Sequence, residues 1–246
     1  MEGPRLRPIQ IKLRIESPEL FLDSVLALEL RVAAFDCDGT LWSGDVGEGF
    51  FSWELKQGIV SAAVATSMRA RYADYKAGKV SEDDMCGEMV TMHKGMPETA
   101  LLLATSDYFE NSFPGHIFPE MRELVGRLQQ NDCDVWAVSS TSDWGIQAGM
   151  RHFNIPPDRI IAAAAVVENG TITDKVVRVP SGKGKPQAIH DVIGRIPDAV
   201  FGNSIWDADM LEIARHPFVI NSTPQLQAIA RERRWPVYQP DLIPTS

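Results

Sequence analysis

The sequence predicts an α/β protein: a doubly wound, mostly parallel sheet with an all-helical insertion after its first strand. Three observations lead there. From residue 119 onward, short apolar runs alternate with helix-period segments, the rhythm of right-handed βαβ units. The stretch 48–113 carries helix signals and no strand signal. Several of the short apolar runs end in polar, chemistry-bearing residues, at the strand ends where open α/β sheets collect ligands. A chain of 246 residues, 44% hydrophobic and 23% charged, suits one large domain carrying an insert.

Composition excludes several classes. The net charge of −9 disfavours nucleic acid, whose phosphates attract cationic faces. No apolar run approaches the roughly 20 residues needed to span a bilayer. Cys37, Cys86 and Cys133 are scattered, which predicts reduced thiols in a cytoplasmic protein and neither a disulfide framework nor a zinc site. The five histidines show no metal-ligand spacing.

The elements follow in order. Residues 1–16 are basic but lack an apolar core, so no secretory signal is expected. A tail, an added edge strand over the alternating 10–15, or a start-site artefact remain open for them. Ser17-Pro18-Glu19 starts a helix reaching about residue 29. The run 31–35 is a buried strand ending at Asp36. Within 48–113 there is a break at 76–80, a helix start at Ser81-Glu82-Asp83-Asp84, and a restart at Pro97-Glu98. Helices are then expected at 120–130, 143–153, 186–195, 207–215 and 224–234. Strands are expected at 134–138, 160–167, 199–201 and 217–220, with a Glu168-Asn169-Gly170-Thr171 hairpin leading into 172–179. The expected organisation is an N-terminal extension and helix (1–30), a core (31–46 and 115–246) and a helical insert (47–114).

Four strand ends carry candidate chemistry. Asp36-Cys37-Asp38-Gly39-Thr40 places two carboxylates two residues apart at the end of a buried strand, which is costly unless a cation is present. Mg2+ would supply that charge through oxygen ligands; a helix-capping Asp pair is the alternative. Ser139-Ser140-Thr141 offers hydroxyls that either cap the next helix or bind a phosphate oxygen beside its amides. Ser181-Gly182-Lys183-Gly184-Lys185 is either a solvated basic loop or an ammonium aimed at an anionic intermediate. Gly202-Asn203-Ser204 followed by Asp207 and Asp209 supplies amide, hydroxyl and carboxylates, or a capped helix. Taken together, these groups suit phosphoryl transfer, where positioning and charge neutralisation do most of the catalysis.

With these motifs in place, the chain resembles the haloacid dehalogenase superfamily over about residues 31–235. It looks closest to the phosphoserine phosphatase-like branch, which carries a helical C1-type cap between its first two motifs. The resemblance implies a Rossmann-like core and a Mg2+-dependent phosphomonoesterase working through an aspartyl-phosphate on a small phosphorylated metabolite. A phosphotransferase of the same superfamily and a non-catalytic binding domain are the alternatives. It implies Asp36 as nucleophile, Asp38 as general acid and base, and Thr40 supporting their loop. Ser139, with Ser140 beside it, and Lys185 would bind phosphate. Lys185 is preferred to Lys183 because the apolar helix pattern begins three residues after it. Mg2+ would be held by Asp36, the Asp38 backbone carbonyl, Asn203 and Asp207. Asp38 argues for an oxygen leaving group, since a halide needs no proton.

Two departures bear on substrate. The residue directly after the motif glycine is usually Asp and here is Asn203. The resemblance places a substrate-binding carboxylate at Asp45, with Glu48 nearby, but a cap Arg position at Met89. Without that Arg, phosphoserine itself is disfavoured. Trp42, Trp144 and Trp206 either pack the hinge and sheet edge or form an aromatic wall. Such a wall, with Asp45 and Glu48, would suit a cationic group, as in phosphocholine or phosphoethanolamine. No oligomeric state follows from the sequence.

One prediction follows from the Asn203 departure. Asn203→Asp adds a charge to the expected ligand set, so half-activation should require less Mg2+. An unchanged Mg2+ activation curve would remove Asn203 from that set.

Overall fold

The computed structural model describes residues 14–241. A two-residue strand, β1 (Arg14–Ile15), precedes α1 (Pro18–Leu26), whose N-cap is Ser17 with Pro18 in the first turn. The edge-strand option thus holds for residues 14 and 15; residues 10–13 lie outside the described region. Helix α1 stops three residues earlier than expected, because Glu29 takes a left-handed φ of 50° in the turn that follows. Strand β2 (Val32–Phe35) is buried at every position.

Four helices follow: α2 (Val46–Gln57), α3 (Ala62–Lys76), α4 (Glu82–Thr91) and α5 (Glu98–Ser112). The side chains of Asp45, Ser61 and Ser81 cap the first three, and Gly58 ends α2 at a φ of 73°. Phe51, Leu55, Val60, Ala65, Met68, Val80 and Met85 give this segment a small core of its own.

The chain then returns through α6 (Pro119–Gln130), β3 (Asp134–Ser142), α7 (Asp143–Met150) and β4 (Ile160–Glu168) to β5 (Thr171–Arg178). It finishes with α8 (Gly184–Ile193), β6 (Ala199–Gly202), α9 (Ala208–Ile213), β7 (His216–Ile220), α10 (Pro224–Arg233) and β8 (Val237–Tyr238).

The eight strands form one sheet in the order β1-β8-β7-β6-β2-β3-β4-β5. Every pairing is parallel except β4 with β5, which form the expected hairpin. The two-residue period of a strand assigns the faces. Ala33 and Phe35 point to one side, into a core with Phe21, Met121, Leu124 and Phe153. Val32 and Ala34 point to the other, against Ala188, Ile189, Met210, Leu211 and Leu226. Helices cover both faces, as a doubly wound sheet requires.

The chain leaves β2 toward β3 and leaves β6 toward β7, in opposite directions along the sheet. The two connections part between β2 and β6, the crevice where such sheets bind ligands.

Three boundaries differ from the sequence expectation in ways that matter below. Strand β3 continues to Ser142, four residues past the expected end, with an irregular register between Val138 and Ser142. Helix α8 begins at Gly184, so Lys185 lies in its first turn. The segment expected as a helix from 207 to 215 splits into a 3-10 turn, Ile205–Asp207, followed by the short α9.

The packing of α1 offers a stability test. Phe21 is fully buried, stacks on Tyr238 at 4.3 Å and meets Phe201 and Phe218 edge-on. Phe21→Ala should lower the unfolding free energy by about 3–5 kcal/mol, the usual cost of emptying an aromatic site. The exposed Leu103→Ala should stay within about 0.5 kcal/mol. Urea unfolding monitored by tryptophan fluorescence measures both.

Candidate active site

The carboxyl ends of β2, β3 and β6 and the start of α8 converge on Lys185. Its side chain is 2% exposed, and its ammonium donates to Asp36 Oδ1 (2.7 Å), Asp207 Oδ1 (2.5 Å) and the Val138 carbonyl (3.3 Å). An ammonium has three N–H bonds, and all three find acceptors here. Lys183 is exposed, so the structure brings Lys185 and not Lys183 to the carboxylates.

Asp36 extends the strand, its amide donating to the Phe201 carbonyl at 2.9 Å. Its second oxygen accepts the Thr40 hydroxyl at 2.8 Å. The turn between them depends on Gly39, at a φ of 77°. The Asn203 side chain packs directly on Gly39, so that a Cβ there would lie 1.8 Å from Asn203 Nδ2. Asn221, to which no sequence motif pointed, donates to the Gly39 carbonyl at 3.0 Å.

Asp38 points elsewhere. Its Oδ1 accepts from Trp42 Nε1 (2.8 Å) and the Val46 amide (2.7 Å), and its Oδ2 accepts the Thr141 hydroxyl (2.7 Å). It therefore sits at the root of α2, facing the helical segment.

Asp207 is hydrogen-bonded through both carboxylate oxygens. It was expected to be a metal ligand, but Oδ1 receives Lys185 while Oδ2 receives the Asn203 and Ser204 amides, each at 2.9 Å, and the Ser204 hydroxyl at 3.2 Å. Both oxygens are engaged in fixing the ammonium and the loop after β6. Of the two alternatives for 139–141, capping of the next helix does not occur. Those residues lie in β3, and Ser142 caps α7 by accepting the Gly145 amide. Ser139 is 2% exposed and accepts the Thr141 amide at 3.1 Å.

Positive charge is short at this centre. Burial, and then the facing Asp207, push the Asp36 carboxyl up to about 6, although Lys185 and Thr40 pull it down. Burial, and then Asp45, push Asp38 up to about 7. Burial alone would lower the Lys185 pKa, but Asp207 and Asp36 outweigh it and raise it. Among the described residues, no three His, Cys, Asp or Glu side chains converge as a metal centre. The donors present are hard oxygens of mixed origin: one carboxylate, backbone carbonyl and amide. That chemistry fits Mg2+, and a buried excess of negative charge is what such an ion neutralises.

The aromatic wall is not there. Trp42 is fully buried against Phe109 and Phe153, and Trp144 is buried and donates to Glu98. Trp206 is 45% exposed and leans over Gly182. What borders the site is a cavity of about 90 Å3 between residues 140–142 and helices α2, α3 and α4. Asp45, Glu48 and Met89 line it, as do Glu54, Tyr75, Glu82 and His93, which the sequence did not single out. Asp36, Asp38 and Lys185 do not line it; Thr141, bonded to Asp38, is the link.

Residues 33–212 match the haloacid dehalogenase-like hydrolase family, and the chain belongs to it. Among curated relatives it is similar to a histidinol-phosphatase of Neisseria meningitidis serogroup C (strain 8013). The two are 23% identical over 217 residues, covering 84% of this chain and 97% of the relative. Its fold resembles that of a protein of unknown function from Bordetella pertussis Tohama I (TM-score 0.75, 18% identity, 85% of this chain and 97% of the other). It also resembles a phosphoserine phosphatase carrying an analogue of the phospho-aspartyl intermediate (TM-score 0.56, 16% identity, 86% and 94%).

The Gly39 turn can be tested directly. Gly39→Ala forces a strained φ and displaces Asn203, and a misplacement of this size should lower phosphate-ester turnover about 100-fold. Gly58→Ala meets the same positive φ with no neighbour within 4 Å, so it should cost stability without touching turnover. Equal turnover in the two variants would dissociate Gly39 from the site.

Proposed function

We propose that this family member hydrolyses a small phosphorylated amine or amino acid as a Mg2+-dependent phosphomonoesterase through an aspartyl-phosphate on Asp36. The phosphatase class itself rests on the family and its relatives. The observation that carries the mechanism is the buried Asp36–Lys185–Asp207 chain, with Thr40 on the second Asp36 oxygen. It holds a carboxylate in one orientation at the crevice of the sheet, with an ammonium beside it.

In this reading, Asp36 attacks phosphorus, and the bond from phosphorus to the leaving oxygen breaks. Asp38, held on the side of the helical segment by Trp42, Val46 and Thr141, gives that oxygen a proton. Asp38 then takes a proton from the water that attacks the same phosphorus, which releases inorganic phosphate and restores the Asp36 carboxylate. Lys185 offsets charge on Asp36 and on the phosphoryl oxygens, and Ser139 and its neighbours approach the phosphate from β3. The Asp36 carboxylate, the Asp38 carbonyl and the Asn203 side-chain oxygen would hold Mg2+. When bound, it supplies positive charge for the phosphoryl group. Asp207 positions Lys185.

Substrate class comes from the neighbouring cavity. Asp45, Glu48, Glu54 and Glu82 line it, against a single lysine, Lys76. Four carboxylates favour a leaving group that carries a cationic amine. Histidinol phosphate, the substrate named for the Neisseria relative, carries such an amine.

Wild-type protein should release p-nitrophenol from p-nitrophenyl phosphate with Mg2+ and not with EDTA. Asp36→Asn should abolish turnover. Turnover that survives Asp36→Asn would exclude Asp36 as the nucleophile.

A further inference from the structure

The cavity beside the site is lined by four carboxylates, and three of them are already engaged. Asp45 caps α2, its Oδ1 accepting the Glu48 amide at 2.7 Å. Glu48 pairs with Lys76 at 3.1 Å. Glu54 is 2% exposed and bonded to His93 Nε2 at 2.7 Å. Glu82, like Asp45, makes no ion pair among the described residues, but where Asp45 is held by the backbone of its own helix, Glu82 is held by side chains of α3, α4 and β3. Its contacts are neutral donors: the Tyr75 hydroxyl on Oε2, and Ser140 Oγ (3.5 Å) and Cys86 Sγ (3.9 Å) on Oε1.

We propose that Glu82 is the specificity-determining residue that receives the ammonium of the leaving group. This rests on the phosphatase reading of the neighbouring site. Two further observations support it. Glu82 spans the seam between α4 and β3, because Ser140 lies between Ser139 and the Thr141 that holds Asp38. A leaving group departing past Asp38 enters the cavity there. The tyrosine pair beside Glu82 also already accommodates an ammonium: Lys76 Nζ lies 5.0 Å from the Tyr72 ring centroid and 5.9 Å from that of Tyr75. Tyr75 thus donates its hydroxyl to Glu82 and offers its ring to a cation.

An ammonium on Glu82 adds a full opposite charge, which none of its present neutral donors supplies. Glutamine keeps the shape and the acceptor for Tyr75 but removes the charge. The test compares kcat/KM for O-phosphoethanolamine with that for propyl phosphate, which replaces the ammonium by a methyl group. The wild type should prefer the amine. Glu82→Gln should reduce that preference about tenfold or more, mainly through the KM of the amine, as expected for loss of a hydrogen bond to a charged group. Glu82→Asp should restore part of it, and Glu48→Gln should reduce it less, because Glu48 is already paired.

An unchanged ratio in Glu82→Gln, or a wild type without preference, overturns the proposal. So does a wild type that cleaves p-nitrophenyl phosphate but neither alkyl ester. A wild type that cleaves none of the three refutes the underlying phosphatase reading, and the proposal with it.

Discussion

The buried ammonium of Lys185 organises this protein. It is the meeting point of β2, β3, α8 and the turn after β6, and it holds them through two carboxylates and a carbonyl. Removing one partner from a buried ion pair costs about 3–5 kcal/mol, because the remaining charge has no water to return to. The geometry is therefore strongly determined. The same bonds that hold Asp36 in one orientation also fix the β6 loop, since Asp207 bonds Lys185 with one oxygen and the loop amides with the other. Local structure and site chemistry share their hydrogen bonds.

This arrangement leaves a charge deficit. Lys185 faces two carboxylates, and burial pushes the Asp36 carboxyl up to about 6 despite it. A divalent cation or a protonated carboxyl could relieve the imbalance. The close fit of Asn203 on Gly39 bears on which one operates. An amide at that position brings an oxygen donor without adding a third negative charge to a pocket already in excess. The Asn that departs from the family pattern thus suits the surrounding electrostatics.

How much of this was legible in the sequence follows from which signals are local. Asp36, Thr40 and Lys185 were legible because a buried strand ending in carboxylates and a lysine before an amphipathic helix are patterns within a dozen residues. The alternation of strands and helices was legible for the same reason. The role of Asp207 was not. Spacing shows a carboxylate four residues after Asn203, but only the fold shows that Lys185, 22 positions earlier in the chain, occupies it. The tryptophans left two readings open because their sequence neighbours are candidate site residues, and only the fold shows that Trp42 and Trp144 point into the core. Glu82 was legible only as an acidic residue in a helix's first turn, and that role hid the one that depends on Ser140, 58 residues away.

In the proposed reading, chemistry belongs to the sheet and selection to the helical segment, and the β4–β5 hairpin ties the two together. The Gly95 amide donates to the Ile172 carbonyl, the Ile172 amide to Met96, and the Glu98 amide to Gly170, so the hairpin extends onto the start of α5. Helix α5 in turn packs along α7, the helix that follows β3. One end of the helical segment is thus pinned to the core by backbone hydrogen bonds. Helix α4 meets the site through Glu82 on Ser140 and also packs on β4 and β5, where Val90 joins Ala163, Ala165 and Ile172, whereas α3 packs mainly on α4. Side-chain contacts of that kind are individually weak and reform readily, whereas the backbone ladder does not. The side of the cavity formed by α3 is therefore where adjustment to a leaving group costs least, and that side carries the two tyrosines.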